Sequence, residues 1–86
     1  MDFRTFWLKT APADRADFAA RVESTSGHLN NVAYGYRPAA PDLSVRIERE
    51  SGAEVTRRDL RPDDWGDIWP ELIDAAHPWP AKAEVA

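Results

Sequence analysis

The 86-residue chain has no cysteine, so neither a disulfide nor a thiolate metal site can staple it. No apolar run approaches the roughly 20 residues of a membrane span, and the N-terminus lacks a basic-then-apolar signal pattern. These absences predict a soluble, cytoplasmic protein without a membrane partner. His28 and His77 stand far apart with no ligand spacing around them, so no metal is expected. A phosphate-cradling glycine loop, a nucleophile paired with a base and a metal triad are all missing, so neither an enzyme nor a cofactor is expected. Strand-like alternation is nowhere sustained; Ser44-Val45-Arg46-Ile47 is the one short candidate, and its flanking caps favour helix. There are no repeats and no low-complexity block. What remains is apolar packing: the chain is 43% hydrophobic, with four Trp, three Phe and two Tyr. At this length one domain forms, burying roughly 60–65% of the unfolded surface.

Charge is divided unevenly. Residues 1–62 hold ten of the eleven Lys/Arg against nine acids, whereas residues 63–86 hold Lys82 alone against six acids. The net charge of −4 therefore sits in the C-terminal segment. A local basic or neutral face, rather than net charge, decides whether a protein can approach DNA.

Capping and spacing predict about five short helices. Asp2 caps the first, with Phe3, Phe6 and Trp7 on one stripe. Pro12 starts the second, which carries Phe18, Ala19 and Val22 inward. Thr25 caps the third, running through Leu29 and Val32 to a stop at Gly35. After the stiff Pro38–Pro41 connection, a fourth runs through Leu43, Ile47 and Glu50 and closes at Gly52. Thr56 and Asp59 resemble a capped short turn, within which Arg57 and Arg58 are expected to pair with Asp59 and Glu54, the alternative being phosphate contact. Asp63 is expected to cap a last helix with Trp65, Ile68, Trp69 and Leu72 inward, broken or restarted at Pro70. The domain is expected over residues 1–73, and residues 74–86 read as a flexible, acidic, Pro-containing tail.

The second and third helices are joined at the spacing of a helix-turn-helix unit. The sharp crossing demands a small residue, supplied by Ala19 and Ala20, and apolar anchors, supplied by Leu29 and Val32. Glu23 occupies the turn position where glycine is favoured for its access to positive φ. No acid lies between Ser24 and Ala40, as a surface facing phosphates requires.

Phe18-Ala19-Ala20-Arg21, Gly27-His28-Leu29 and Ile47-Glu48-Arg49 resemble the YdaS group of Cro/CI-type regulators. The most specific stretch is Asp59-Leu60-Arg61-Pro62-Asp63-Asp64-Trp65 with Ile68-Trp69-Pro70-Glu71-Leu72. The resemblance covers roughly residues 3 to 73; Glu23 and the chain beyond Leu72 depart from it. It implies an all-α, lambda-repressor-like helix-turn-helix domain, prophage-encoded and Cro-like in role, or an antitoxin of the YdaS–YdaT kind. Carried over by position, Thr25, Ser26, Gly27, His28, Asn30, Asn31, Tyr34 and Arg37 would face double-stranded operator DNA, with Arg15 and Arg21 as supports. Asn matches adenine N6 and N7, Ser and Thr reach several base edges or phosphates, and Gly27 permits close approach. A homodimer on paired half-sites is expected, through either the Trp65–Leu72 helix or the region around Phe3 and Trp7. The alternative is an antitoxin or adaptor that docks a toxin or other protein through the acidic, Trp-containing C-terminal segment.

Overall fold

Asp2 starts the first helix as its spacing predicts. Its carboxylate accepts the Thr5 N–H at 2.7 Å and opens α1 (Phe3–Lys9). The computed structural model describes residues 1–80. Five further helices follow in order: α2 (Pro12–Arg21), α3 (Ser26–Ala33), α4 (Pro41–Glu50), α5 (Arg57–Leu60) and α6 (Trp65–Ile68). A 3-10 turn, Pro70–Leu72, ends the series. The fold is all-α and helix-turn-helix-like. No helix among the described residues is long and apolar enough to cross a membrane.

α2, α3 and α4 all end by one device. In each, the N–H two residues past the C-cap bonds back to a carbonyl in the last turn. Ser24 reaches Ala19 at 2.8 Å, Tyr36 reaches Asn31 at 2.9 Å, and Ala53 reaches Glu48 at 2.8 Å. This six-to-one closure needs a left-handed residue just past the C-cap. Gly35 and Gly52 supply it in two helices, at φ 80° and 65°. In α2 the position belongs to Glu23, at φ 60°.

The core joins α1 to α4. Phe3, Trp7, Phe18, Val22, Leu29, Leu43, Ile47 and Val55 are buried, with Phe6, Val32 and Leu60 packed on its edge. Phe6 and Trp7 both lie against Phe18, at ring-centroid distances of 5.2 and 6.5 Å. Phe3 is 5% exposed and Trp7 1%, so neither ring is itself available to a second copy, although Leu8 on the same helix is exposed. Ala19 is buried where the helices cross, whereas Ala20 faces outward and supplies nothing there. Buried Ser51 replaces missing backbone bonds: its hydroxyl accepts the Val55 N–H at 3.2 Å as the chain leaves α4.

Several long-range arginines hold helix ends. The Arg15 Nε–H donates to the Trp7 and Thr10 carbonyls at 3.2 and 3.1 Å. Arg46 donates to the Val22 carbonyl at 2.7 Å, fastening the end of α2 to α4. Arg61 donates to the Ala39 carbonyl and grips Asp64 with two bonds of 3.0 and 2.8 Å.

Asp64, not Asp63, occupies the N-cap of α6, and its carboxylate faces Arg61 instead of the helix N–H groups. The segment from Trp65 to Leu72 is interrupted at Pro70 as expected, into α6 and the 3-10 turn, because Pro70 cannot donate into a continuing ladder. Thr56 and Asp59 form a full capping box, with bonds of 3.1 and 2.9 Å. Arg57 and Arg58 do not take the expected partners. Arg57 pairs with Glu48 at 2.5 Å and Arg58 lies 5.7 Å over the Trp65 ring. Asp59 binds the N-terminal ammonium at 3.2 Å, and Glu54 binds Lys9 at 2.9 Å.

Beyond residue 73 the chain turns at Asp74–His77, where Asp74 accepts the His77 N–H at 2.7 Å. Trp79 then returns to α6. Its ring meets Trp65 edge-on at 5.0 Å, and its Nε1–H donates to Asp67 at 3.0 Å. Gly66 makes this possible, since a Cβ there would fall within the Trp79 indole. The last six residues of the expected tail, 81–86, lie outside the described residues.

Candidate nucleic-acid interface

The Thr25 side chain accepts the His28 N–H at 3.1 Å and so fixes where α3 begins. Leu29 and Ala33 are buried against the helices beneath, with Val32 beside them, and α3 rests on both α1 and α2. Anchored on this side, the helix turns its other side outward. Gly27, His28, Asn30, Asn31 and Tyr34 are all exposed, as is Thr25 ahead of them; Ser26 alone is half-buried. Asn30 and Asn31 make no side-chain hydrogen bond to any described residue. A Cβ on Gly27 would meet nothing within 4 Å, so packing within the protein does not require glycine there.

The chain around α3 is neutral to basic, while Asp2, Asp59 and Asp63 line the cleft at its far end. Arg37, just past the helix, is exposed and has no carboxylate partner among the described residues. Glu23 is the nearest acid before the helix and Asp42 the nearest after it in the chain. Arg15 and Arg21, expected as supports, are otherwise engaged. Arg15 caps α1, and Arg21 pairs with Asp17 at 3.1 Å and Glu50 at 3.2 Å.

Two exposed side chains at the far end of α3 were missed in the sequence. Tyr36 is 76% exposed. An aromatic placed after a glycine stop, outside any apolar stripe, was the available signal. Arg4 comes from α1, and its guanidinium lies 4.8 Å over the Tyr34 ring. Thirty positions separate those two residues, and no local pattern joins them. Arg4 and Arg37 line one cleft of about 640 Å³ with Val32, Gly35 and Leu60.

The arrangement can present two carboxamides, a hydroxyl and a bare backbone position to a ligand, without an acid among them. No family model matches the chain. It is 32% identical over 60 residues to a protein of Escherichia coli K12 described as a prophage transcriptional regulatory protein, a match that covers 70% of this chain and 91% of that one.

Proposed function

The chain belongs to the family of prophage transcriptional regulatory proteins, and on that premise we propose that it is a lambda-repressor-like, YdaS-type regulator that binds operator DNA through α3. The observation that carries this reading is the outer side of α3: exposed, acid-free, with two carboxamides lacking partners among the described residues. An α-helix with its side chains is about 10–12 Å across, which fits a major groove about 12 Å wide. Asn30 and Asn31 read base edges, Thr25, Ser26 and His28 contact bases or phosphates at the entering end, and Gly27 lets the backbone come close. Arg37 and Tyr34 engage the strand beyond. Glycine within a helix costs about 1 kcal/mol against alanine. Close approach to the duplex is a reason to keep it.

One unit contacts too little DNA for tight specific binding, so the protein acts as a homodimer on half-sites about 34–36 Å apart. The proposal gives it no catalysis and places it in the cytoplasm. A second reading, a protein partner docked on the acidic C-terminal segment, is favoured by Ile73, 39% exposed beside half-buried Leu72. Trp79, its most obvious anchor, is however spent on Trp65.

The test is selection of bound duplexes from a random pool, followed by fluorescence-anisotropy titration at several salt concentrations. Asn30→Ala and Asn31→Ala should each weaken the selected duplex by about 1–3 kcal/mol while leaving a mixed-sequence duplex nearly unaffected. Binding that is absent, or indifferent to salt, would remove the regulator reading.

A further inference from the structure

We propose that Arg4, on α1, is a contact for the DNA-backbone phosphate at the far end of α3, and that Tyr34 serves as the platform that positions it rather than as a reader of bases. The inference rests on the operator-binding reading above.

The described cations are nearly all committed. Lys9, Arg21, Arg46, Arg49, Arg57 and Arg61 each pair with a carboxylate. Arg15 is bound to carbonyls and stacked on Trp7, and Arg58 is stacked on Trp65. Arg4 and Arg37 are left, both exposed, both without a carboxylate partner among the described residues, and both on the rim of the same cleft. Four described cations therefore lack a carboxylate; Arg15 and Arg58 are half-buried, and the two exposed ones, Arg4 and Arg37, share one rim beside the acid-free helix.

The geometry at Arg4 adds a second argument. An aromatic face orients a guanidinium without neutralising it, because the ring quadrupole attracts the cation but carries no net charge. A carboxylate in the same place would have cancelled the charge and competed with phosphate. Arg4 therefore keeps its full charge and all five donors while its planar head is held against Tyr34. Such a held fork suits a phosphodiester oxygen pair. The position suits it too: with the N-terminal residues of α3 at the base edges, Arg4 at its other end stands toward the backbone rather than the bases.

Acids also line the cleft. Asp59 is bound to the N-terminal ammonium at 3.2 Å; Asp2 accepts the Thr5 N–H at 2.7 Å but keeps its charge and feels that of Arg4, with which it makes no ion pair. Asp63 has no partner among the described residues and lies on the side formed with Leu60 and Pro62. It limits how far a duplex settles into the cleft without occupying Arg4.

The assignment has a consequence for Tyr34. A tyrosine that reads a base acts through its hydroxyl, whereas one that supports Arg4 acts through its ring. Tyr34→Phe and Tyr34→Leu separate the two.

The experiment is an anisotropy titration of the full chain against a duplex selected by the wild type and a duplex of mixed sequence, across a salt series. Arg4→Gln should weaken both duplexes by the same factor and reduce the slope of log K against log salt by about 0.9 per protomer. Tyr34→Phe should match the wild type. Tyr34→Leu should lose part of what Arg4→Gln loses, and the double variant should be no worse than Arg4→Gln alone, as coupled groups require. Circular dichroism should show the wild-type helix content throughout, because Arg4 is a surface residue. An unchanged slope in Arg4→Gln, with the wild type still binding, overturns the phosphate assignment alone. Equal damage from Tyr34→Phe and Tyr34→Leu overturns the platform role. A wild type that binds neither duplex overturns the operator reading and this inference together.

Discussion

Glu23 carries a strain that its two counterparts avoid. All three helix closures need a left-handed backbone, and at Gly35 and Gly52 it costs nothing in side-chain clash. For an L-residue that conformation costs about 1–2 kcal/mol. Glycine would return about 0.5–1 kcal/mol of this as unfolded-chain entropy. Glu23→Gly should therefore stabilise the fold by about 0.5–1 kcal/mol, a rise of about 4–8 °C in Tm per kcal/mol for a domain this size. The same change removes the acid nearest the start of α3, so DNA affinity should rise as well. A thermal melt and a titration check the two effects, and a lower Tm would refute the strain argument. The left-handed turn was legible because glycine's usual position held something else. Arg4 was not legible, because its partner lies on another helix and a cation looks alike in sequence whether its charge is cancelled or kept.

The caps at Asp2, Thr25 and Thr56 were readable because each bonds an N–H three residues away. The ends fastened by Arg15, Arg46 and Arg61 were not, since the Arg46 and Arg61 acceptors lie 24 and 22 residues distant. Asp63 and Asp64 are equivalent as caps in sequence. The Arg61 fork selects the second and draws it away from capping altogether. The piece from α6 to Trp79 shows the same limit: prolines either side of Trp79 suggest a free end, while its partner Gly66 carries no side chain to advertise a contact. Gly66→Ala sets two effects against each other. Alanine favours the short helix by about 1 kcal/mol, but expelling a half-buried indole re-exposes about 100 Å² of apolar surface, about 2.5 kcal/mol. The expulsion should win. The Trp79 indole N–H, held on Asp67 in the wild type, should then exchange with solvent at the free rate by NMR. Continued protection would mean the indole does not need the glycine.

Taken as a whole, the molecule keeps acids off α3 itself, and several of those elsewhere hold the fold together. The Thr5 N–H beside Asp2, the Arg61 guanidinium beside Asp64 and the His77 N–H beside Asp74 each hold a carboxyl below its ordinary value. A carboxyl whose pKa is lower folded than unfolded releases its proton more readily in the native state. Its contribution is therefore complete above the unfolded value of about 3.9 and disappears as pH falls through the lowered folded value. Thermal stability should be flat from neutrality to about pH 5 and decline below about pH 4. Asp64→Asn should be less stable at neutral pH and decline less steeply in acid. Asp2→Asn, which still caps, should keep its neutral stability and lose only part of the acid sensitivity. Equal acid profiles in all three proteins would show that these carboxyls do not govern the transition.

Trp7 is sealed in the core with an indole N–H that finds no acceptor among the described residues, while Trp65 and Trp79 sit edge to face at 5.0 Å beside the polar Asp67. The protein thereby contains two optical probes of its own. An indole in a dry apolar site emits to the blue, and two indoles this close couple their transitions into a paired band in circular dichroism. Loss of the paired band with only a partial red shift of emission, from Trp65 and Trp79 while Trp7 stays buried, would record the C-terminal segment lifting away from an intact core, on unlabelled protein, with or without DNA present.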